Sequence, residues 1–336
     1  MSQNVFGPTN PVNQNQINQA GDPNALMTAQ FSGEVEHTFM EESVLEKFIP
    51  RRAVKGTNTL TKKAIGRTKL QRLNRGEAPD GTQVDFSKAS ITVDTVILSR
   101  HSLFDLDVIQ TDIDARKEIA IEQGQEIAEF IDQTFCIAGA HAAAQTVSAY
   151  SQGSTTGKPE GHFGATQVKM NAAGDENDPA KFYHKIGELV AKMRKKKVNA
   201  RTAGLILIVD PDQYHVLMDS EQIINGQYLT SDGNKLSDIP QFKAWGIPVV
   251  ESIHLPQGVI SGHYLSNPAN NNFYDGDFTG LVALMISPKA LLAGESIPLT
   301  SKVWYSDAAK CWFVDSWMSF AVGLDRVEYA GRIDKA

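Results

Sequence analysis

One stretch of this sequence has no means of folding by itself, and it constrains everything around it. Residues 56–98 begin and end in side chains that favour extended chain: Thr57, Thr59 and Thr61 on one side, Ile91, Val93, Val96, Ile97 and Leu98 on the other. Between them Gly66, Gly76, Pro79, Asp80 and Gly81 supply turn chemistry. The pattern predicts a long two-stranded excursion. Its centre carries few large apolar side chains, and an isolated two-stranded hairpin is marginal in water. Some other surface must support it.

Charge says what kind of surface. From Arg51 to Arg75 there are nine basic residues (Arg51, Arg52, Lys55, Lys62, Lys63, Arg67, Lys69, Arg72, Arg75) and no acidic one. The whole chain nets −7, so the remainder nets −16 (−7 minus +9). A nucleic-acid reading of the basic run would want aromatic rings among the cations, to stack on bases. There is none from Arg51 to Arg75. Phosphate contact alone stays open and would be steeply salt-dependent. A protein partner explains more, because the same chain offers an acidic counterpart.

That counterpart is a long helix expected over 111–145, capped by Thr111 or Asp112. At 1.5 Å per residue it spans roughly 50 Å. On an ideal wheel of about 100° per residue, Ile113, Ala120, Ile121, Gly124, Ile127, Ala128, Ile131, Phe135 and Ala138 share one arc. Asp114, Glu118, Glu122, Glu126 and Glu129 share the opposite one, giving an acidic outer stripe. Acids four apart repel by a few tenths of a kcal/mol, about the scale of one helical ion pair. A basic partner would relieve that. A projecting arm makes more sense reaching a second copy than folding back on its own subunit.

The rest of the chain reads as a mixed α+β protein. With 336 residues, 41% hydrophobic and 21% charged, it can bury a sizeable core. Two cysteines, Cys136 and Cys311, argue against a disulfide scaffold and for a reducing compartment. The opening MSQNVFGPTNPVNQNQ lacks signal-peptide character, and no apolar run approaches the roughly 18 residues of a membrane span. Residues 1–35 are rich in Asn, Gln and Pro and are expected to form an arm. Residues 151–178 read as a flexible loop or insertion. Asp178 and Pro179 then open a helix with Phe182, Ile186, Leu189 and Met193 on its buried face. Strands are expected at 204–210, 246–252, 280–287 and 298–305, and in the tail either side of Gly323-Leu324-Asp325.

Motifs for chemistry are weak. Asp210, Asp212, His215 and Asp219 are the best metal or acid–base candidates, but each has an ordinary role on a short helix, so a metal-dependent enzyme is the lesser reading. No HExxH, Cys-x-x-Cys or glycine-rich phosphate loop occurs, and Ser154 has no nucleophile-elbow context. Cys136 reads as packing. Arg194-Lys195-Lys196-Lys197 reads as a solvated helix end. No catalytic, cofactor-binding or metal residue is assigned.

With these features placed, the chain resembles the major capsid proteins of tailed bacteriophages with the Hong Kong 97-type fold, above all those of short-tailed podoviruses. FSGEVEHTF follows the amino-terminal arm. GRTKLQRLNRGE resembles the family's extended-loop segment, and the acidic helix resembles its spine helix. ILIVDPDQYHVLMDS, GIPVVESIHLP, ISPKAL and VGLDRVEYAGRI follow in the family's order. The resemblance covers about 31–333. It implies an arm at 1–35 and a peripheral domain from 36–55 with 99–150 and 310–336. It implies an extended loop at 56–98 and an axial domain at 179–309.

It further implies self-assembly into hexamers and pentamers of an icosahedral shell, a procapsid built in the host bacterial cytoplasm and matured into a virion. A scaffolding protein and a portal protein are implied partners, with room for a decoration protein. Double-stranded DNA would lie against the inner surface, held without sequence specificity, and no membrane is involved. In the family the extended loop lies over a neighbouring subunit, which puts Arg67, Lys69, Arg72, Arg75 and Glu77 at an intersubunit contact. Some relatives cross-link a loop lysine, for which Lys62, Lys63 and Lys69 are present. An encapsulin-like compartment sharing the fold, and a DNA-binding protein using the basic run, are the competing readings.

Overall fold

The computed structural model describes residues 35, 37, 38, 45, 48–66, 68, 70–72, 75, 76, 81, 84–104, 115–150, 162–220 and 243–336. In chain order a short strand β1 (Arg52–Ala53) precedes a hairpin of β2 (Thr59–Ile65) and β3 (Phe86–Thr92). Strand β4 (Ile97–Phe104) and the long helix α1 (Ala115–Ala144) follow. Next come β5 (Thr166–Lys169), α2 (Pro179–Lys195), β6 (Ile206–Val209) and α3 (Pro211–Met218). After β7 (Lys243–Ala244), β8 (Ile247–Glu251), β9 (Val259–Ile260) and β10 (Gly276–Asp277) come β11 (Leu281–Ile286), β12 (Leu291–Ser306), β13 (Cys311–Leu324) and β14 (Gly331–Asp334).

Two main sheets result. One has the order β1-β12-β13-β4, the other β5-β14-β11-β6-β8-β7. In the second sheet, β6 and β11 are buried throughout, as fully covered apolar strands should be. The β12–β13 hairpin runs from Leu291 opposite Leu324 to Ser306 opposite Cys311. The domain division expected at 309/310 therefore falls in the turn of one hairpin. Strand β14, placed by sequence with the peripheral segments, pairs with β11 and β5.

Helix α1 joins the two sheets. Its Ile127, Ile131 and Phe135 pack in one cluster with Leu284 and Ile286 of β11 and Met318, Phe320 and Val322 of β13. Each fully buried side chain of this size contributes roughly 1.5–3 kcal/mol of transfer free energy. A second cluster sets Phe182, Ile186, Leu189 and Met193 of α2 against Leu207, Val209, Met285 and Ile333. Asp178 caps α2 by accepting from the amides of Ala180 (3.1 Å) and Lys181 (3.2 Å). The helix exits through Lys197, whose φ of 66° is a left-handed value usually given to glycine.

Two expectations change. The stretch 151–178 is not loop throughout: β5 forms a parallel pair with β14, because Ala165, Thr166 and Val168 find a buried edge there. Helix α1 is described from Ala115, and its expected caps Thr111 and Asp112 lie outside the described residues, as does the 1–34 portion of the arm. Polar residues on the inner side of α1 are satisfied. Gln123 donates to the Val314 carbonyl (3.1 Å) and accepts from Ser316 Oγ (2.6 Å), and Asp132 accepts from the Leu45 amide (3.2 Å).

Candidate intersubunit contact surfaces

The root of the extended loop is held by its own subunit. Along β2 and β3 exposure alternates residue by residue, so one face is covered and the other open. Leu60, Lys62, Ala64, Ser87, Ala89 and Ile91 make the covered face. Two glycines of the β12–β13 hairpin form the seat. A Cβ on Gly294 would stand 3.2 Å from Leu60 Cδ2, and one on Gly323 only 2.2 Å from Ile91 Cγ2. The absence of side chains there is what lets the loop lie down on the sheet.

A polar lock completes the seat. The Lys62 ammonium and the Tyr150 hydroxyl both donate to the carboxylate of Asp325, whose side chain is 1% exposed. Ser87 Oγ donates to the Tyr150 carbonyl (2.6 Å), and His162 Nε2 meets the Ile65 carbonyl (3.2 Å). Burial first, and then the bond to Asp325, pushes the Tyr150 phenol well above its ordinary range, so it stays a donor. Below the loop, Arg51 pairs with Glu295 (3.0 Å).

The basic run is therefore not one surface. Arg51 and Lys62 are committed inside the subunit. Arg72 and Arg75, farther along the loop, are exposed, and no ion pair within the subunit involves them among the described residues. Leu70 beside them is fully exposed, and Phe86 is 73% exposed. Arg67, Lys69 and Glu77 lie outside the described residues.

On α1, Glu118, Glu122, Glu126 and Glu129 are all exposed and form the expected acidic stripe; Asp114 lies outside the described residues. Beside it runs a groove of about 640 Å³ that the sequence did not reveal. Val96, Leu98, Phe130 and Tyr264 give it an apolar floor and walls, while Glu126 and Glu129 edge it. Tyr264 is 78% exposed. Five separated stretches of chain build this groove, so no local period marks it. The legible signal was Val96 and Leu98, large apolar residues two apart where β4 begins, both exposed.

Other singled-out residues take ordinary places. Asp210 precedes α3 without a side-chain capping bond, Asp212 is in its first turn, Asp219 follows its end, and His215 is exposed. Among the described residues no group of three or more His, Cys, Asp or Glu is placed to hold a metal ion. Cys136 is buried, and burial raises its thiol far above the ordinary value. Of the Arg194–Lys197 run, Lys196 Nζ donates to the carbonyls of Gly164 (2.9 Å) and Ala165 (2.6 Å). No described helix is long and apolar enough to cross a membrane.

Comparison with known proteins agrees with this architecture. No curated protein matches the chain. Among solved structures the chain is similar to the capsid of cyanophage P-SCSP1u, at 18% identity over 88% of each chain with a TM-score of 0.72. It is similar to the mature capsid of bacteriophage PhiM1, at 19% identity over 88% of this chain and 87% of that one, TM-score 0.70. The virus-like particle of Pyrococcus furiosus is more distant, at 8% identity over 92% and 99%, TM-score 0.54. These likenesses establish the fold, which is the Hong Kong 97-like capsid fold expected from the sequence. A family model described as phage capsid protein matches residues 100–332. That match runs from β4 through α1 and both main sheets into β14, and by it the chain belongs to the phage capsid protein family.

Proposed function

We infer that this chain is the repeating subunit of an icosahedral phage head, forming hexamers and pentamers through its extended loop. The observation that carries this is the division of the loop. Its root is locked to its own subunit, while Leu70, Arg72 and Arg75 project with no partner in the same chain among the described residues. The groove edged by Glu126 and Glu129 supplies the complement on a second copy: an apolar floor for Leu70 and carboxylates for the two arginines. Each exposed charge pair contributes only about 0–1 kcal/mol, so the pairs set register and many repeated contacts set stability. A separate scaffolding protein, a portal, a decoration protein and packaged DNA belong to this reading as further partners.

The test is assembly. Arg72→Glu with Arg75→Glu is expected to give folded subunits that form no shells under negative-stain microscopy when expressed with a scaffold. Glu126→Lys with Glu129→Lys in the same chain is expected to restore shells. Normal assembly of the Arg72→Glu/Arg75→Glu chain across a range of salt would remove the loop–stripe contact from the account. The likeness to a virus-like particle keeps the compartment reading in view. Nuclease-protected DNA inside shells purified from infected cells decides between them.

A further inference from the structure

Between the loop root and the body lies a second cavity, of about 580 Å³. Lys62 and Lys63 reach it from β2, Lys197 from the exit of α2, Lys289 from the turn before β12, and Arg326 from the turn after β13. No carboxylate lines it among the described residues. Two of the cations are neutralised from behind: Lys62 by Asp325, and Arg326 through its Nε on Glu328 Oε1 at 2.8 Å. Lys63, Lys197 and Lys289 have no carboxylate partner among the described residues. Lys289 and Arg326 crowd the same ring, 5.6 and 5.1 Å from the centroid of Tyr329. Lys197 holds its left-handed backbone where glycine would rest without strain.

In a chain that nets −7, this convergence from four separate segments is unfavourable unless something negative occupies it. His162 also lines the cavity, its side chain 9% exposed and its Nδ1 3.7 Å from Glu328 Oε1.

We propose that this cavity binds a compact phosphate-class oxyanion, held between the Lys62–Lys63 segment of β2 and Lys197, Lys289 and Arg326 on the body. Lysine ammoniums and the terminal nitrogens of Arg326 supply charge-assisted donors suited to such a group. The occupied site would brace the loop at its root. This is independent of the shell reading, because every residue involved belongs to one subunit. The oxyanion is either a free ion or the phosphodiester of a nucleic acid.

The experiment is thermal unfolding and calorimetric titration of the purified full-length chain with inorganic phosphate. Chloride at equal ionic strength is the control. Saturable binding is expected, with a rise in midpoint of roughly 3–6 °C at saturation. Phosphate also stabilises proteins by exclusion, without a site. The decisive comparison is therefore with Lys197→Gly/Lys289→Gln, whose glycine suits the left-handed backbone. That variant should fold, and its phosphate affinity should fall at least about tenfold, the size of effect one charge-assisted contact supports. An equal response in both proteins, or no saturable heat with the wild-type chain, overturns the proposal. A short single-stranded oligodeoxynucleotide forms the second arm. If it competes with phosphate, the source is a phosphodiester; if phosphate binds and the oligonucleotide does not, the source is the free ion.

Discussion

Replacing Lys62 by methionine tests whether the loop is held at its root by one polar lock. Methionine keeps most of the length and apolar stem of lysine but leaves the Asp325 carboxylate, 1% exposed, with only the Tyr150 hydroxyl. Breaking a buried pair on one side costs about 3–5 kcal/mol. The Lys62 side chain is 32% exposed, so water reaches the ammonium and the cost falls to about 2 kcal/mol. The apolar share of docking is small: Leu60 and Ile91 are only half-buried, which adds about 1 kcal/mol each. Undocking should melt β2 and β3, since a free two-stranded hairpin is marginal. A 2 kcal/mol loss therefore raises the open population about 30-fold.

Amide hydrogen exchange reads this directly. In the Lys62→Met chain, exchange in Thr59–Ile65 and Phe86–Thr92 should accelerate about 30-fold at about 2 kcal/mol, while the centre of α1 stays unchanged. Lys62→Met combined with Asp325→Leu removes the stranded charge and should recover most of the protection. If hairpin exchange in Lys62→Met matches the wild type, or if the double variant is as labile as the single one, the lock is not what holds the loop.

Two further outcomes follow from packing and charge. Gly323→Ala places a methyl 2.2 Å from Ile91 Cγ2 and should destabilise the loop root by about 1–3 kcal/mol, relieved by Ile91→Ala; hydrogen exchange of β3 in the two chains checks this. Glu188 is held at about 2 by its bonds to Lys192 (2.8 Å) and Lys185 (2.9 Å). A carboxyl lowered on folding stabilises above its unfolded pKa and loses that contribution as pH falls through the folded one. With the side chain 33% exposed, Glu188→Gln should cost only about 1 kcal/mol at pH 7, a difference that vanishes between about pH 4.5 and pH 2 in urea unfolding.

The parts legible in the sequence were those governed by local period. The acidic and apolar arcs of α1, the buried run of β11 and the alternation of the loop strands all follow from spacing along the chain. What the sequence withheld depends on partners far away. Lys62 counted as one more cation in a basic run, yet its partner lies 263 residues on. Gln123 carried no sequence signal and is a buried bridge to β13. The loop lying on Gly294 and Gly323 needed knowledge of which strands cross beneath it. The groove beside the acidic stripe and the cationic cavity beneath the loop are both assembled from segments no window brings together.

The order of the first sheet, β1-β12-β13-β4, has a consequence for how the chain is made. Among the described residues, β1 pairs only with β12 and β4 only with β13, both far along the chain from their partners. During synthesis the first strands emerge with nothing to pair to, and the loop between them has neither its glycine seat nor Asp325. A ribosome must pass residue 325 before the arm can dock. Products that stop before residue 325 thus expose an unsupported arm rather than a poised one, and folding itself becomes a checkpoint: only a chain that carries these residues holds a loop oriented to meet another.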